Sequence, residues 1–151
     1  MEKTVDKRTV TIKENKRLKK MSAFEYTEES NGYRVVVTPE FIEEESNLER
    51  SYYFYSYKVK IVNIEGKVAR LSRRLWVIRD GKGVQEVIEG PGVVGQHPTF
   101  KKGAEFEYES SCPLRTPTGN MRGKYFLEDE DGNEFAIQIP LFYLRHPTTF
   151  N

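Results

Sequence analysis

Residues 89–100 read EGPGVVGQHPTF, from Glu89 to Phe100, and this stretch decides how the rest of the chain is interpreted. It contains three glycines, two prolines and two adjacent valines, a composition typical of a loop. Segments in which apolar and polar residues alternate precede it and follow it. We therefore interpret residues 89–100 as the loop that joins the two halves of a β-sandwich.

Seven segments show the period-two alternation of half-buried strands, in which every second side chain faces the core. Turn residues separate them about every dozen positions, which is typical of an antiparallel sandwich. We predict an all-β fold, a seven-stranded antiparallel sandwich of the immunoglobulin or fibronectin type III kind. Trp76, the only tryptophan, is expected between the two sheets. The predicted strands cover residues 33–38, 52–63, 68–79, 84–88, 105–110, 121–127 and 135–139.

Glycine and proline predict the connections between these strands. Residues 80–83 have the composition of a tight hairpin turn, because glycine reaches the positive φ that such turns need. Pro39 is expected to end the pairing of the first strand. Residues 111–119 are interpreted as an irregular link, and Pro140 indicates an edge strand or a bulge.

Size and composition narrow the class of protein. A chain of 151 residues with a net charge of +1 is one ordinary domain, without a general field to attract nucleic acid or membrane. The single cysteine, Cys112, excludes an internal disulfide and favours a reducing compartment. No apolar run approaches the roughly 20 residues that span a bilayer, and no signal peptide is recognised. We expect a cytoplasmic protein without membrane contact.

Residues 1–30 differ in composition from the rest of the chain. A basic cluster followed by glutamates, with few apolar residues, predicts a flexible charged arm. A solvated tail is favoured over a basic arm that docks on nucleic acid or an acidic partner. Met21 leaves open a start that would exclude residues 1–20 from the protein. The sandwich domain is assigned to residues 31–148.

Four ordered motifs, with Arg74 and Trp76, carry a resemblance to a known family. They occur in colinear order and cover the chain from about residue 31 to residue 147. The motifs are EGPGVVGQHP at 89–98, TPTGNMRGKY at 116–125, DEDG at 129–132 and IPLF at 139–142. In these segments the chain closely resembles the ApaG family.

The resemblance implies a fold and a setting. It implies a fibronectin type III-like sandwich in a cytoplasmic bacterial protein. It also implies a loose link to tolerance of divalent cations, and a domain that binds other proteins where it is appended to longer chains.

Gly90, Gly92 and Gly95 match the letters of the dinucleotide-binding pattern G-x-G-x-x-G. In that pattern a helix follows the glycines, and its N-terminus faces the pyrophosphate. No helical pattern follows here, so a Rossmann-type site is not expected. An anion-binding nest of backbone N–H groups, lined by the three glycines and His97, stays open as an alternative.

Metal and catalytic chemistry find little support in the sequence. His97 and His146 are far apart, and with Cys112 they do not supply the four close ligands of a structural zinc site. The acidic residues 128–131 lack the spacing of an EF-hand loop. Nothing in the pattern pairs Cys112 with a base. We therefore predict no metal, no cofactor and no catalytic residue.

Basic residues on two predicted strands give a weak signal for nucleic acid. They would form one face if the two strands were neighbours, with Tyr52 and Phe54 beside them. The near-neutral net charge favours a solvated face, and nucleic acid is not expected as a partner. These basic residues are Lys58, Lys60, Arg70, Arg73 and Arg74.

The favoured interpretation of the glycine-rich stretch is a recognition surface on a rigid scaffold. Its glycines supply positive φ, and its two valines are expected to dock on the core. We predict a non-catalytic domain that binds a protein partner through this loop and the neighbouring sheet edge. The alternative is a small-ligand binder that takes phosphate, pyrophosphate or a nucleotide at the loop. The oligomeric state is left open. The predicted contact residues are Gly90, Gly92, Val93, Val94, Gly95 and His97.

Overall fold

The structure is a computed structural model that describes residues 24–147. Nine strands and two short 3₁₀ turns make up the described chain. The 3₁₀ turns are Glu43–Glu45 and Leu48–Arg50. The strands are β1 Tyr26–Ser30, β2 Tyr33–Phe41, β3 Tyr53–Asn63, β4 Ala69–Asp80, β5 Gln85–Pro91, β6 Thr99–Phe100, β7 Glu105–Leu114, β8 Thr118–Asp129 and β9 Glu134–Arg145.

The strands form two antiparallel sheets that pack face to face. The first sheet has the order β1-β2-β3-β7, and the second has the order β5-β4-β8-β9 with β6 added to β4. The predicted antiparallel sandwich is confirmed, with nine strands in place of seven because β1 and β6 were not predicted. No helix among residues 24–147 is long and apolar enough to cross a bilayer.

Trp76 lies between the sheets, as predicted. Its side chain projects from β4, its exposed fraction is 4%, and its ring packs edge-on against Tyr57 of β3 and Phe142 of β9. The alternating residues of β2 and β3 supply the opposite wall, because each second residue, such as Val35 and Val59, is buried. Burial of this apolar surface is the main force that holds the sheets together.

Buried tyrosines place hydroxyl groups in the core. The hydroxyls of Tyr33, Tyr108 and Tyr125 each have a hydrogen-bond partner. Tyr33 donates to the carbonyl of Lys67 over 2.6 Å. The hydroxyls of Tyr108 on β7 and Tyr125 on β8 hydrogen-bond to each other and so connect the two sheets. Burial raises the pKa of Tyr33 to about 12. Satisfied hydroxyls of this kind let a tyrosine fill the core without the cost of an unpaired polar group.

Two predicted breaks in the strands are wrong. Pro39 lies inside β2, which pairs with β3 as far as Phe41, and residues 111–114 continue β7 instead of forming a link. In the hydrogen-bonding pattern both Pro39 and Pro113 occupy positions whose backbone nitrogen points away from β3. No ladder hydrogen bond is therefore lost at either proline.

The glycine-rich stretch does not carry the chain from one sheet to the other. Its two ends lie in β5 and β6, and both of these strands pair with β4 of the second sheet. The crossing to the first sheet takes place at residues 101–104, where Gly103 donates to the carbonyl of Asn63 over 2.7 Å. The stretch therefore folds back on the sheet it leaves, and the predicted crossing at this loop is wrong.

Strand β1 lies on the arm side of the boundary that was predicted at residue 31. It pairs with β2 from Tyr26 opposite Val37 to Ser30 opposite Tyr33. Residues 1–23, the rest of the predicted arm, lie outside the described residues.

Pro140 lies on an edge strand and inside a bulge, as predicted. The register between β8 and β9 shifts where Met121 faces Phe142 and Gly123 faces Ile139. At this bulge β4 and β8 approach so closely that a Cβ on Gly123 would lie 2.0 Å from the carbonyl oxygen of Leu75. Glycine is therefore required by space at this position.

The variant Gly123→Ala is expected to lower the free energy of unfolding by about 3 kcal/mol, because β4 and β8 must separate to accept the methyl group. Urea unfolding followed by Trp76 fluorescence measures this change. Gly90→Ala is the matched control, since its Cβ would meet only the end of the Arg74 side chain, at 3.1 Å. Equal stability of the two variants would contradict the close approach.

Candidate functional site

We call residues 90–98 the glycine loop. Its tip is a two-residue turn, in which Val93 donates to the carbonyl of Gln96 over 2.9 Å and Gln96 donates back over 2.8 Å. The two central residues, Val94 and Gly95, have φ of +41° and +77°. Positive φ at both central positions is the mark of a type I′ turn, the tightest connection between antiparallel segments.

The base of the glycine loop is fastened to β4. The Gly92 amide donates to the carbonyl of Ser72 over 2.9 Å. A nitrogen of the Arg74 guanidinium, Nη1, donates to the carbonyls of Pro91 and Gly92 over 2.8 and 2.9 Å. Charge-assisted hydrogen bonds of this kind are stronger than neutral ones, so Arg74 is the main clamp on the loop.

His97 also belongs to this fastening. Its Nδ1 lies 3.0 Å from the carbonyl oxygen of Leu71. A Cβ on Gly92 would lie 3.1 Å from its Nε2 and 2.4 Å from the carbonyl oxygen of Gln96. The structure thus brings Gly92 and His97 close together.

The two valines of the loop have opposite environments. Val93 is fully buried, which confirms that it docks on the core, whereas 52% of Val94 is exposed. The expectation that both valines dock is wrong for Val94, because its position at the turn points its side chain to solvent. A β-branched residue at positive φ is also strained. Val94 is therefore an exposed apolar residue held in an unfavourable conformation.

The backbone of the glycine loop offers few free donors for an anion. The amides of Gly92, Val93 and Gln96 are all used within the protein. Gly90 lies in β5, and a Cβ on it would meet the Arg74 guanidinium, while Gly95 lies at the tip with no atom within 4 Å of a Cβ position. The predicted lining residues therefore do not converge on one point.

Strand β5, beside the loop, presents apolar side chains to solvent. In β5 the exposed fractions of Val87 and Ile88 are 59% and 38%, and Val84, just before the strand, is 64% exposed. Sequence reasoning identified β5 only as a short returning strand and did not predict this exposure. The position of β5 at the edge of the sheet explains this exposure, because an edge strand buries little where no second layer covers it.

The sandwich is closed along one side and open along the other. On the closed side the amide of Gln138 in β9 donates to the hydroxyl of Ser30 in β1 over 2.8 Å, and Asn31 Nδ2 donates to the carbonyl of Ala136 over 2.6 Å. On the open side β5 and β7 are edge strands. The glycine loop lies at the end of this open side, next to β5.

Cys112 lies on β7 and is 5% exposed. Burial raises the pKa of its thiol to about 12, and the charge of Glu86 adds to the increase. A thiol with so high a pKa is almost entirely protonated at neutral pH and is a poor nucleophile.

Acidic residues do not converge on a metal site in the described chain. Among residues 24–147, no three His, Cys, Asp or Glu side chains are grouped to hold an ion. At the acidic hairpin tip, Asp129 accepts hydrogen bonds from the amides of Asn133 and Asp131, each over 2.9 Å. The bond from Asn133 is the main cause of a lowered pKa at Asp129. This carboxylate caps a turn.

The cluster of cations that the sequence predicted does not form. Its members were Lys58, Lys60, Arg70, Arg73 and Arg74. The two strands that carry these residues, β3 and β4, belong to different sheets, so the lysines lie apart from the arginines. Arg74 has the inward parity of Trp76 on β4, so it is also separated from Arg70 and Arg73. Lys60 lies 3.5 Å from Glu105, and Arg73 forms ion pairs with Glu89 and Glu134. The predicted cluster does not form because β3 and β4, although consecutive in the sequence, belong to different sheets.

Comparison with known proteins identifies the family of this chain. The sequence model of the ApaG domain matches residues 43–129, more than half of the chain. The chain belongs to the ApaG family. Protein ApaG of Methylocella silvestris is 43% identical over 122 residues, which are 81% of this chain and 94% of that protein. Protein ApaG of Bdellovibrio bacteriovorus is 41% identical over 115 residues, covering 76% and 91% of the two chains.

A crystal structure confirms the ApaG fold. A Bordetella pertussis protein described as ApaA superposes with a TM-score of 0.73 at 40% sequence identity, over 76% of this chain and 94% of the other. The part matched by the ApaG sequence model extends from the first 3₁₀ turn to the end of β8 and includes β5 and the whole glycine loop.

The variant Val94→Asn is expected to raise the free energy of unfolding by about 1 kcal/mol, because asparagine tolerates positive φ and Asn-Gly is the preferred type I′ sequence. Urea denaturation measures the change. Val87→Asn on β5 is the control, since its backbone is extended and gains nothing from the substitution. A loss of stability in Val94→Asn would contradict the strained turn.

Proposed function

We propose that this ApaG domain binds a protein partner by accepting an extended segment of the partner as an added strand on β5, with the tip of the glycine loop as a further contact. The observation that carries the proposal is an open edge strand with exposed apolar side chains beside a strained, exposed valine. Loops and edges on a rigid sandwich are common places for recognition.

The backbone of β5 supports strand addition. Asp80 donates to the carbonyl of Val84, which sets the pairing so that every second residue of β5 bonds to β4. By this alternation the N–H and C=O groups of Gln85, Val87 and Glu89 point away from the sheet. Pro91 has no N–H and limits the added strand at that end.

The side chains of β5 give the added strand an apolar contact on each face. Val87 lies opposite Val77 on the outer face, and Ile88 lies opposite Trp76 on the inner face. Alternate side chains of a partner strand would pack against these two residues, which supplies specificity beyond the backbone bonds.

Other edges of the sandwich are less suited to the same role. On the closed side, β1 and β9 are tied to each other by side-chain hydrogen bonds. On β7 the outward-pointing positions include Glu105, Glu107 and Glu109. Charged residues along an edge discourage pairing with another strand.

The strain at Val94 supports a role in contact. Its φ of +41° and its exposure of 52% both oppose stability, and the fold does not require a valine there. Strained residues that persist on a surface often serve recognition. In the proposal, Val94 presents a methyl surface that the partner covers.

We place this interaction in the cytoplasm, where the free thiol of Cys112 stays reduced. A link to divalent cations would then run through the partner, since the acidic tip of the domain caps its own turn.

A photo-crosslinking amino acid at Val87 tests the proposed edge. The expected result is one discrete adduct in cells, mapped by mass spectrometry to an extended segment of one protein. A synthetic peptide of that segment should then slow hydrogen exchange at the amides of Gln85, Val87 and Glu89. Val94→Asn should weaken the peptide's binding while it stabilises the domain.

The same crosslinker at Glu107 is the matched control, because this residue lies on the other open edge. Equal adducts at both positions would contradict an interface on β5. A mapped peptide that binds without protecting the three β5 amides would also overturn strand addition.

A phosphate-containing ligand at the glycine loop is the competing function. Within the glycine loop, the amides of Val94, Gly95 and His97 lack an acceptor in the described chain, and the others are bonded within the protein. Titration with pyrophosphate and ATP is therefore expected to give no saturable shifts in the amide resonances from Gly90 to His97. Saturable shifts centred on Val94, Gly95 and His97 would favour the ligand and contradict the protein-binding proposal for this loop.

A further inference from the structure

A cluster of cations occupies the outer face of the second sheet, away from the glycine loop. We call it the basic face and define it by five exposed residues. They come from β4, the turn after it, β8 and β9, so that no single stretch of sequence reveals them. The five residues are Arg79, Lys82, Arg122, Lys124 and Arg145.

Strand register places these cations in neighbouring rows. Arg79 lies opposite Asn120, and Asn120 lies opposite Tyr143, so the three cross the sheet in one row. Arg122 and Lys124 follow Asn120 on the same face of β8 at every second position. Residues spaced by two along a strand lie about 7 Å apart, so the charges form an extended array and not a single point.

Four of the five charges of the basic face are not neutralised within the described part of the chain. Within residues 24–147, Arg79, Lys82, Arg122 and Lys124 form no ion pair. The acidic residue beside them, Asp80, accepts the amides of the hairpin turn at Lys82 and Val84. Of the glutamates on this face, Glu128 and Glu134 lie at its other end. Glu89 lies in the row of Leu75 and Lys124, and it pairs with Arg73.

An aromatic ring and an unpaired amide lie among these cations. Tyr143 is 40% exposed, and the guanidinium carbon of Arg145 lies 5.0 Å from the centre of its ring. Asn120 Oδ1 is buried and has no hydrogen-bond donor in the described chain. A shallow groove between the β4–β5 turn and β9 is lined by Arg79, Lys82, Asn120, Tyr143 and Arg145.

We propose that the basic face binds single-stranded nucleic acid, with phosphates on the cation array and a base stacked on Tyr143. Basic grooves interleaved with aromatic rings are the usual platform for single strands. Asn120 would accept a hydrogen bond from the amino group of a base. This surface is separate from β5, so the inference does not depend on the protein-binding proposal.

Tyr143 and the unpaired Asn120 oxygen together favour a nucleic acid over an acidic peptide. The carboxylates of glutamates only accept hydrogen bonds, and their side chains carry no ring that could stack on Tyr143. Amino groups of bases are donors on an otherwise anionic chain. The near-neutral net charge of the whole chain conceals the array, because acidic residues are concentrated elsewhere, as on β7.

The test is fluorescence anisotropy with a labelled oligodeoxycytidine of about 12 nucleotides, titrated at several salt concentrations. Saturable binding at low salt is expected, with an affinity that falls steeply as salt rises. The double variant Arg79→Gln/Arg122→Gln should reduce the salt slope by about 1.4, since each lost phosphate contact removes about 0.7 on a single strand. Tyr143→Ala should weaken binding about tenfold through lost stacking.

Lys58→Gln/Lys60→Gln is the matched control, because it removes the same charge from the other side of the sandwich and should leave binding unchanged. Circular dichroism melts verify that each variant is folded. The proposal is overturned by an absence of saturable binding at low salt, by equal loss in the control variant, or by equally tight binding of an oligoglutamate competitor.

Discussion

Trp76 fixes the position of β4, and most of the molecule's surface features depend on that strand. Its ring is enclosed by Tyr57 from the opposite sheet and by Phe142 and Tyr125 from its own. β4 in turn pairs with β5, β6 and β8, and its backbone and Arg74 fasten the glycine loop. A packed core residue therefore determines where the loop and the edge strand lie, although neither of them is in the core.

The base and the tip of the glycine loop differ in stability, as the proposed binding role would require. The base of the glycine loop is held by several hydrogen bonds, including two from Arg74. Its tip instead keeps an exposed valine at positive φ, where a polar residue would be more stable. A rigid base with a strained, apolar tip is an arrangement that lowers stability in the free protein and reduces the ordering cost of recognition.

The sequence correctly predicts strands that show local alternation of apolar and polar residues. It does not predict features that depend on contacts between residues distant in the sequence. Alternating residues such as Val35 and Val59 identify core strands correctly, and Trp76 lies where they place it. Tyr26–Ser30 has no such alternation, and it becomes a strand because β2 provides an edge. The turn chemistry of the glycine loop was recognisable, but the exposure of Val94 depends on which turn position it takes. The basic face depends on the order of three strands and a turn in the second sheet, which spacing along the chain does not reveal.

Amide hydrogen exchange in the isolated protein tests most directly whether the sandwich is closed at β1 and β9 and open at β5. An open edge at β5 predicts rapid exchange at Gln85, Val87 and Glu89, whereas exchange at Gln138, whose amide is held by Ser30, should be slow. Strong protection of the three β5 amides in the absence of any partner would contradict it, because the edge would then already be covered.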